Sequence, residues 1–305
     1  GGLLGVVGSG LRQYSGTVAQ LVALKYSRSQ EEQADDLGMF YLDKAGYDSA
    51  ALSSMLTSLA MQSALDAKVA GKGDSRIPEW SSTHPDPVKR VSRAAVIAKN
   101  YKANSYRNVA GHMKEIDGLL YGDDPKQGVV EGQEFIHPDL RFKFAFPNGY
   151  GLQNGEQAIA ISGNGGQALF TLGAFNGDRA AYVAAALKAA LGEKVAITPG
   201  PVSTTTINGI PAFYSSSTVA QQKGNVTVTV FAYEMVQGQA YHFVTLAPVG
   251  TSPFDSMYQS MSRLTTAQAA AVKPRKIDIV TVGSNDTVAS LSSRMAYSSM
   301  QTERF

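Results

Sequence analysis

The chain has 305 residues, of which 44% are apolar and 17% are charged, with a net charge of +2 and no cysteine. This composition is typical of a globular protein, and the length favours two domains over one. It excludes disulfides, thiol chemistry and cysteine-ligated zinc, and no block of Lys and Arg indicates nucleic acid as a partner. Since no run of 18 apolar residues occurs, the sequence predicts no transmembrane segment in this chain.

A long helix is predicted over residues 17–44, and it carries two acidic residues four positions apart. Glu31 and Asp35 therefore lie on one face of the helix, about one turn apart. Two buried and unpaired carboxylates would cost stability, so we expect this face to be solvated or to face a positive charge. A solvated acidic face near Arg28 and Lys44 is one interpretation, and a metal ion is the other.

Two motifs in order along the chain resemble a family of enzymes. The first is Ser-Arg-x-x-Glu-x-x-Ala-Asp at residues 27–35, followed by Gly38 and by Ala-Gly-Tyr-Asp at residues 45–48. The second is Thr-His-Pro-x-x-x-x-Arg at residues 83–90. Together they resemble the HtpX-like and CAAX-prenyl-protease-like zinc metallopeptidases over the first hundred residues or so.

The resemblance implies a role for four side chains. Glu31 would be a zinc ligand, and Asp35 would orient the ligands through hydrogen bonds without binding zinc itself. His84, on a loop, would line the zinc cleft, and Arg90 would stabilise the oxyanion or anchor a carboxylate near the zinc. A salt bridge from Arg90 to Asp35 or Glu31 is the structural alternative. In the family, zinc and an adjacent Glu make a bound water nucleophilic.

This chain departs from the family pattern in one respect. The family's first two zinc ligands lie in a His-Glu-x-x-His helix, and none of the four histidines here is part of such a motif. We therefore expect the chain to be the C-terminal part of a longer zinc metalloendopeptidase, inactive by itself. The alternatives are a non-enzymatic periplasmic binding or chaperone-like protein with a degenerate peptidase lobe, and two cleaved pieces that reassemble.

Residues 1–122 are predicted to be the helical part of the metallopeptidase domain. The long helix, with apolar positions at Leu37, Phe40 and Tyr41, ends at Gly46, and Asp48 or the next residue begins a second helix. The predicted inward positions of that second helix are Leu52, Met55, Leu56 and Leu59. A third helix is predicted from Pro87 to about Lys99, and its predicted inward positions are Val88, Val91, Ala95 and Val96. A fourth is predicted over residues 105–120.

Residues 130–266 are predicted to form an α+β domain, with one antiparallel sheet and two helices on a face. Strands alternate near 141–147, 156–161 and 167–174, then at 203–207, 210–218, 226–235 and 239–247. Asn208-Gly209 is a strong hairpin signal. The helices are predicted from Asp178 to Leu191 and over 252–264. The phrase His-Pro-Asp-Leu-x-Phe-x-Phe-x-x-Pro at 137–147 is similar to the PsbP/Mog-like fold, and we expect a binding or scaffolding role here.

Residues 275–305 are predicted to be a short strand–helix tail, with a strand at 277–282 and a helix capped by Asp286 or Thr287. It resembles the first half of a LysM module, a family that binds peptidoglycan, and a plain tail packed on its neighbour is the alternative. The resemblances imply the periplasm or cell envelope of a Gram-negative bacterium. They imply as partners a protein or peptide substrate (misfolded or misassembled envelope proteins), the missing N-terminal part, and peptidoglycan.

Overall fold

The computed structural model describes residues 28–69, 87–101, 106–155, 157–192, 197–220, 225–297 and 300–305, which form two compact units. The helical unit contains the described residues up to Leu119 together with Lys276–Phe305. The sheet unit contains Leu120–Arg275. The chain is therefore an α+β protein with helices and two antiparallel sheets.

Four helices come first in the helical unit. They are α1 (Arg28–Lys44), α2 (Ala51–Val69), α3 (Pro87–Ile97, extended by a 3₁₀ turn at Ala98–Asn100) and α4 (Val109–Ile116). Helix α2 packs along α3, and α1 contacts both. As predicted, α1 is closed by Gly46, whose φ of +80° favours glycine. The predicted helical residues 17–27 lie outside the described part of the chain.

The face that α1 buries is polar at two of its three main positions. Glu31, Asp35 and Met39 follow each other at intervals of four and are 6%, 3% and 0% exposed. The predicted apolar positions Leu37 and Tyr41 are 45% and 62% exposed. The two acids therefore point into the helical unit, and the solvated face is not the one they occupy.

The predicted inward face of α3 is wrong at two positions. Ala95 and Val96 are exposed, whereas Ala94 is fully buried and the side chain of Arg90 is largely buried. Because Arg90 reaches the two acids of α1, the residue four positions later turns inward with it. In α2, Leu56 is buried as predicted, whereas the predicted inward positions Met55 and Leu59 are exposed.

The segments that precede and follow the sheet unit in the sequence also differ from the prediction. Helix α4 is shorter than predicted because the chain from Asp117 onward pairs with residues near Ile277: Gly118 N donates to Ile277 O over 2.9 Å, and Ile277 N to Leu119 O over 2.9 Å. Residues 277–282 do not form the predicted strand. The predicted cap at Thr287 is present.

The sheet unit has a large and a small antiparallel sheet. The small sheet consists of β1 Val129–Glu131, β2 Glu134–His137, β3 Phe142–Ala145 and β11 Ser262–Arg263. The large sheet consists of β4 Gly151–Asn154, β5 Ile159–Gly163, β6 Gly166–Ala174, β7 Ser203–Ile207, β8 Ile210–Val219, β9 Val226–Val236 and β10 Gln239–Pro248. The large sheet has the strand order β4-β5-β6-β10-β9-β8-β7, and the small sheet has the order β1-β2-β3-β11.

Three helices complete the sheet unit, namely α5 (Arg179–Leu191), α6 (Asp255–Ser260) and α7 (Thr266–Ala271). The tail of the helical unit adds α8 (Val288–Ser292) and α9 (Gln301–Arg304). Asp178 caps α5 by accepting a hydrogen bond from Ala181 N over 3.0 Å, as predicted. The helix predicted over 252–264 is only α6, because Ser262 and the residue after it pair with β3.

The prediction of a single sheet with helices on a face was wrong in the number of sheets, since the unit has two. Both faces of the large sheet are buried. Alternating side chains of β10 separate two cores. Tyr241 and Phe243 face the small sheet and α6, where Phe142 and Phe144 pack. Ala240, Val244 and Leu246 face α5. The small sheet therefore covers one face of the large sheet, and α5 covers the other.

Candidate functional site

The buried acids of α1 meet a single arginine from α3. The Nε and Nη2 atoms of Arg90 donate to the two carboxylate oxygens of Asp35 over 2.9 and 2.7 Å. Its Nη1 atom lies 2.8 Å from Oε2 of Glu31. The side chains of Arg90, Asp35 and Glu31 are 13%, 4% and 7% exposed, respectively. We call them the Arg90 clamp.

The clamp has the geometry in which arginine binds carboxylates most strongly. A planar guanidinium forms two parallel hydrogen bonds with one carboxylate, and here a third nitrogen serves a second carboxylate. Hydrogen bonding to Asp35 raises the pKa of Arg90, against burial, which lowers it, and the negative charges of Asp35 and Glu31 raise it further. Arg90 therefore stays charged, and it fixes the orientation of both acids.

A second ion pair lies beside the clamp and is more exposed. Nη2 of Arg93 lies 2.7 Å from Oδ2 of Asp36, and the two side chains are 29% and 48% exposed. The hydrogen bond to Asp36 raises the pKa of Arg93. This pair was not predicted from the sequence, although Asp36 directly follows Asp35 and Arg93 lies three residues after Arg90. This pair serves as an internal comparison for the clamp.

The structure brings together three of the four predicted site residues. Glu31, Asp35 and Arg90 form the clamp, while His84 lies outside the described residues. The salt bridge that the sequence analysis gave as an alternative role for Arg90 is present with both acids. Their assignment as a zinc ligand and catalytic residues stays a prediction.

None of the histidines that the structure describes is part of the clamp or of a metal-binding group made of described residues. His112 is exposed on α4. His137 accepts a hydrogen bond from Leu140 N over 3.3 Å, as expected of a turn residue, and burial lowers its pKa. In the ranges that the structure describes, no three His, Cys, Asp or Glu residues are arranged to hold a metal ion.

His242 has a partner that the sequence analysis did not find. Its Nδ1 lies 2.8 Å from the hydroxyl of Tyr182 on α5, sixty residues earlier in the chain. Both residues are buried, and burial lowers the pKa of His242 to about 4. Nothing in the local sequence of β10 could have indicated a contact over this separation.

The sequence model of Peptidase family M48 matches residues 7–98. This match supports the M48 metallopeptidase family for that segment. The segment contains all three residues of the Arg90 clamp and the second motif. Family M48 is a family of peptide-bond hydrolases that is generally zinc-dependent. Among the helices described, none combines the length and apolar character needed to span a membrane.

Other comparisons gave weaker similarities. A crystal structure from Bacteroides thetaiotaomicron VPI-5482 is 15% identical, with a TM-score of 0.32, over 45% of this chain and 50% of that chain. The chain thus spans half the length of that protein. The solution structure of cyanobacterial PsbP (CyanoP) from Synechocystis sp. PCC 6803 is 11% identical, with a TM-score of 0.34, over 47% of this chain and 98% of that chain. Similarities at this level do not define a fold for the sheet unit. The comparison with curated proteins gave no significant match.

Proposed function

We propose that the M48 segment is part of a zinc-dependent metalloendopeptidase and that Glu31 is one of its zinc ligands. The observation that supports this proposal is the Arg90 clamp, which holds two buried acids in fixed orientations inside the segment that matches the family. An apolar side chain at either position would cost less free energy of folding than a buried charge does. The cost of burying Glu31 and Asp35 is more readily understood if one of them serves a reaction.

The described residues do not form a zinc site by themselves. Catalytic zinc takes three protein ligands, and the clamp offers only two carboxylates, both already bound to Arg90. The proposal therefore requires further ligands from outside these residues. The 305 residues contain no His-Glu-x-x-His sequence, so we propose that this chain alone does not hydrolyse peptides.

Within this proposal, Arg90 is a positioning residue. Three of its nitrogen atoms are bound to carboxylates, which supports an orienting role more than donation to an oxyanion. Asp35 binds Arg90 through both oxygens and so holds the guanidinium against Glu31. A cleft role for His84 remains part of the proposal on the strength of its motif alone.

We further propose a cell-envelope location and misfolded or misassembled envelope proteins as substrates, on the resemblance to HtpX-like peptidases. Peptidoglycan binding by the tail rests on its LysM-like sequence. Pelleting with purified peptidoglycan tests the tail, because a chain that ends at residue 275 should then lose the binding that the full chain shows.

The test of the main proposal uses the protein from its natural source. Its intact mass and N-terminal sequence are measured together with its zinc content and its hydrolysis of an unfolded protein such as casein. We expect an N-terminal extension with His-Glu-x-x-His and about one zinc ion per chain. Glu31→Gln should then lose zinc and activity, since the amide is a poor zinc ligand but still accepts a hydrogen bond from Arg90.

The matched control for that variant is Glu32→Gln, because Glu32 is the next residue on α1 and is exposed. It should retain zinc and activity. Equal zinc content in the two variants would show that Glu31 is not a ligand. A natural protein without the extension and without zinc would contradict catalysis and would favour a non-enzymatic binding protein.

A further inference from the structure

The sheet unit contains a groove of about 550 Å³ between α5 and the adjoining ends of β6 and β10. One side is made of small residues at intervals of four on α5, namely Ala181, Ala185 and Ala189. The other side is made of residues of β6 and of the position after it, including Leu169 and Phe175. The groove exists because alanines replace the larger side chains that would otherwise fill the space beside the sheet. Its volume is that of a small-molecule site.

One polar pair reaches this apolar groove. The hydroxyl of Tyr182 donates its single proton to Ala240 O over 2.7 Å, so it can only accept from Nδ1 of His242, 2.8 Å away. His242 is therefore the tautomer with its proton on Nδ1, and Nε2 is a hydrogen-bond acceptor. Within the described part of the chain, Nε2 makes no hydrogen bond, although the residue is only 5% exposed and lines the groove.

The remaining polar side chains of the groove are engaged locally. Thr171 donates to Gln157 O over 3.2 Å, and Asn176 accepts from Asp178 N over 3.1 Å through its side-chain oxygen. No Asp, Glu, Lys or Arg is among the described residues that line the groove. Burial keeps His242 neutral at pH 7, since its pKa is about 4. The groove therefore presents an apolar surface, no charge and one acceptor on a largely buried side chain.

We propose that this groove binds an uncharged, largely apolar small molecule that donates one hydrogen bond to Nε2 of His242. An apolar ligand matches walls made of the alanines of α5, Leu169 and Phe175, and a hydroxyl or N–H group matches the acceptor. A charged ligand would lose its hydration without gaining a partner of opposite charge. This binding function does not depend on the peptidase proposal.

The probe for the test is N-phenyl-1-naphthylamine, an uncharged aromatic amine with one N–H group whose fluorescence increases in apolar surroundings. We expect saturable binding to the full chain. The comparison probe is 8-anilino-1-naphthalenesulfonate, which has the same skeleton with a sulfonate, and it should bind at least about tenfold more weakly. Equal binding of the two probes, or no saturable binding of the amine, would overturn the proposal.

A variant pair on α5 locates the binding site. Ala185→Leu fills the groove from an exposed helix position, so we expect it to fold and to reduce binding of the amine about tenfold or more. Ala184→Leu makes the same change at an exposed neighbour that does not line the groove, and it should bind as the unmodified chain does. Equal affinities of these two variants would place the binding elsewhere on the molecule and would refute the proposal.

The role of His242 is tested by a ratio of affinities, which a purely structural role would not change. The second ligand is 1-phenoxynaphthalene, in which an ether oxygen replaces the N–H group, and its affinity is measured by displacement of the amine. The unmodified chain should prefer the amine about fivefold, the effect expected of one neutral hydrogen bond. His242→Phe should bind both ligands about equally. A ratio unchanged by this variant would show that His242 does not recognise the donor.

Discussion

Both units bury titratable side chains, and they differ in the charge that those side chains carry. In the helical unit, Arg90 and the two acids of α1 are ionised and are bound to each other. In the sheet unit, Tyr182 and His242 are neutral and share one hydrogen bond. The comparison shows two ways of satisfying buried polar groups: mutual neutralisation across two helices, or loss of charge in an apolar core.

The two arrangements should respond differently to disruption. Loss of Arg90 removes the positive charge that binds two buried carboxylates, whereas loss of one member of the neutral pair leaves no charge. Changes to the clamp should therefore have the largest effects, and acidification should be the strongest perturbation of the neutral pair.

The largest effect is expected for Arg90→Met. Breaking a buried ion pair costs about 3–5 kcal/mol in the free energy of unfolding, because the buried carboxylates lose the cation that binds them. Urea denaturation followed by circular dichroism measures this loss in the helical unit. If Arg90→Met cost less than about 1 kcal/mol, the clamp would not be as buried as its side-chain exposures of 13%, 4% and 7% indicate.

A triple variant separates stability from function. Replacing Glu31 and Asp35 by Leu in the Arg90→Met background removes all three charges, and most of the lost stability should return. Zinc binding in the natural protein should not return. Recovery of both would show that the clamp has no part in a metal site.

The second effect is a pH dependence that arises from His242. Its pKa is about 4 in the folded protein and 6.5 when exposed, so the unfolded chain binds more protons between these values. The free energy of unfolding should therefore fall as the pH drops from about 6.5 to about 4, by about 3 kcal/mol from this residue.

The measurement is urea unfolding of the sheet unit at several pH values, compared between the unmodified chain and His242→Phe. The variant removes the titrating group, so its stability should fall less over the same range. Parallel pH profiles for the two proteins would show that His242 is not the neutral, buried residue described above.

The third effect concerns the helix that carries Tyr182. Asp178→Ala removes the side-chain acceptor of Ala181 N at the start of α5 and should cost about 1 kcal/mol. Asp178→Asn keeps an acceptor and should cost less. Thermal unfolding of both variants measures the difference, and equal melting temperatures would show that the cap contributes little to holding α5 on the sheet.

These elements also show which parts of the structure a sequence can predict. The cap at Asp178 and the Asn208-Gly209 hairpin were predicted correctly because both signals are local; the turn residues have the positive φ values of +48° and +77° that the hairpin requires. That Glu31 and Asp35 share a face follows from helix geometry alone. The bounds of strands β9 and β10 were predicted to within one residue for the same reason.

The predictions that failed depended on contacts distant in sequence. Arg90 turns α3 so that Ala94 is buried and Val96 is exposed, and the acids that cause this lie 55 residues or more before Arg90. The alternation of Phe142 and Phe144 predicts a strand but does not say that it belongs to a second sheet. The pairing of Tyr182 with His242 is likewise set by the packing of α5 on the sheet.

The smallest effect is expected for Arg93→Gln, which removes an ion pair of the same length as the clamp but with greater exposure. Arg93 and Asp36 are as close as the clamp residues, with nitrogen and oxygen 2.7 Å apart, but their side chains are 29% and 48% exposed. An exposed pair is worth about 0–1 kcal/mol because water already solvates both charges. Urea unfolding should therefore detect at most a small loss, several-fold less than for Arg90→Met. Equal losses would mean that distance, and not burial, determines what an ion pair contributes on these helices.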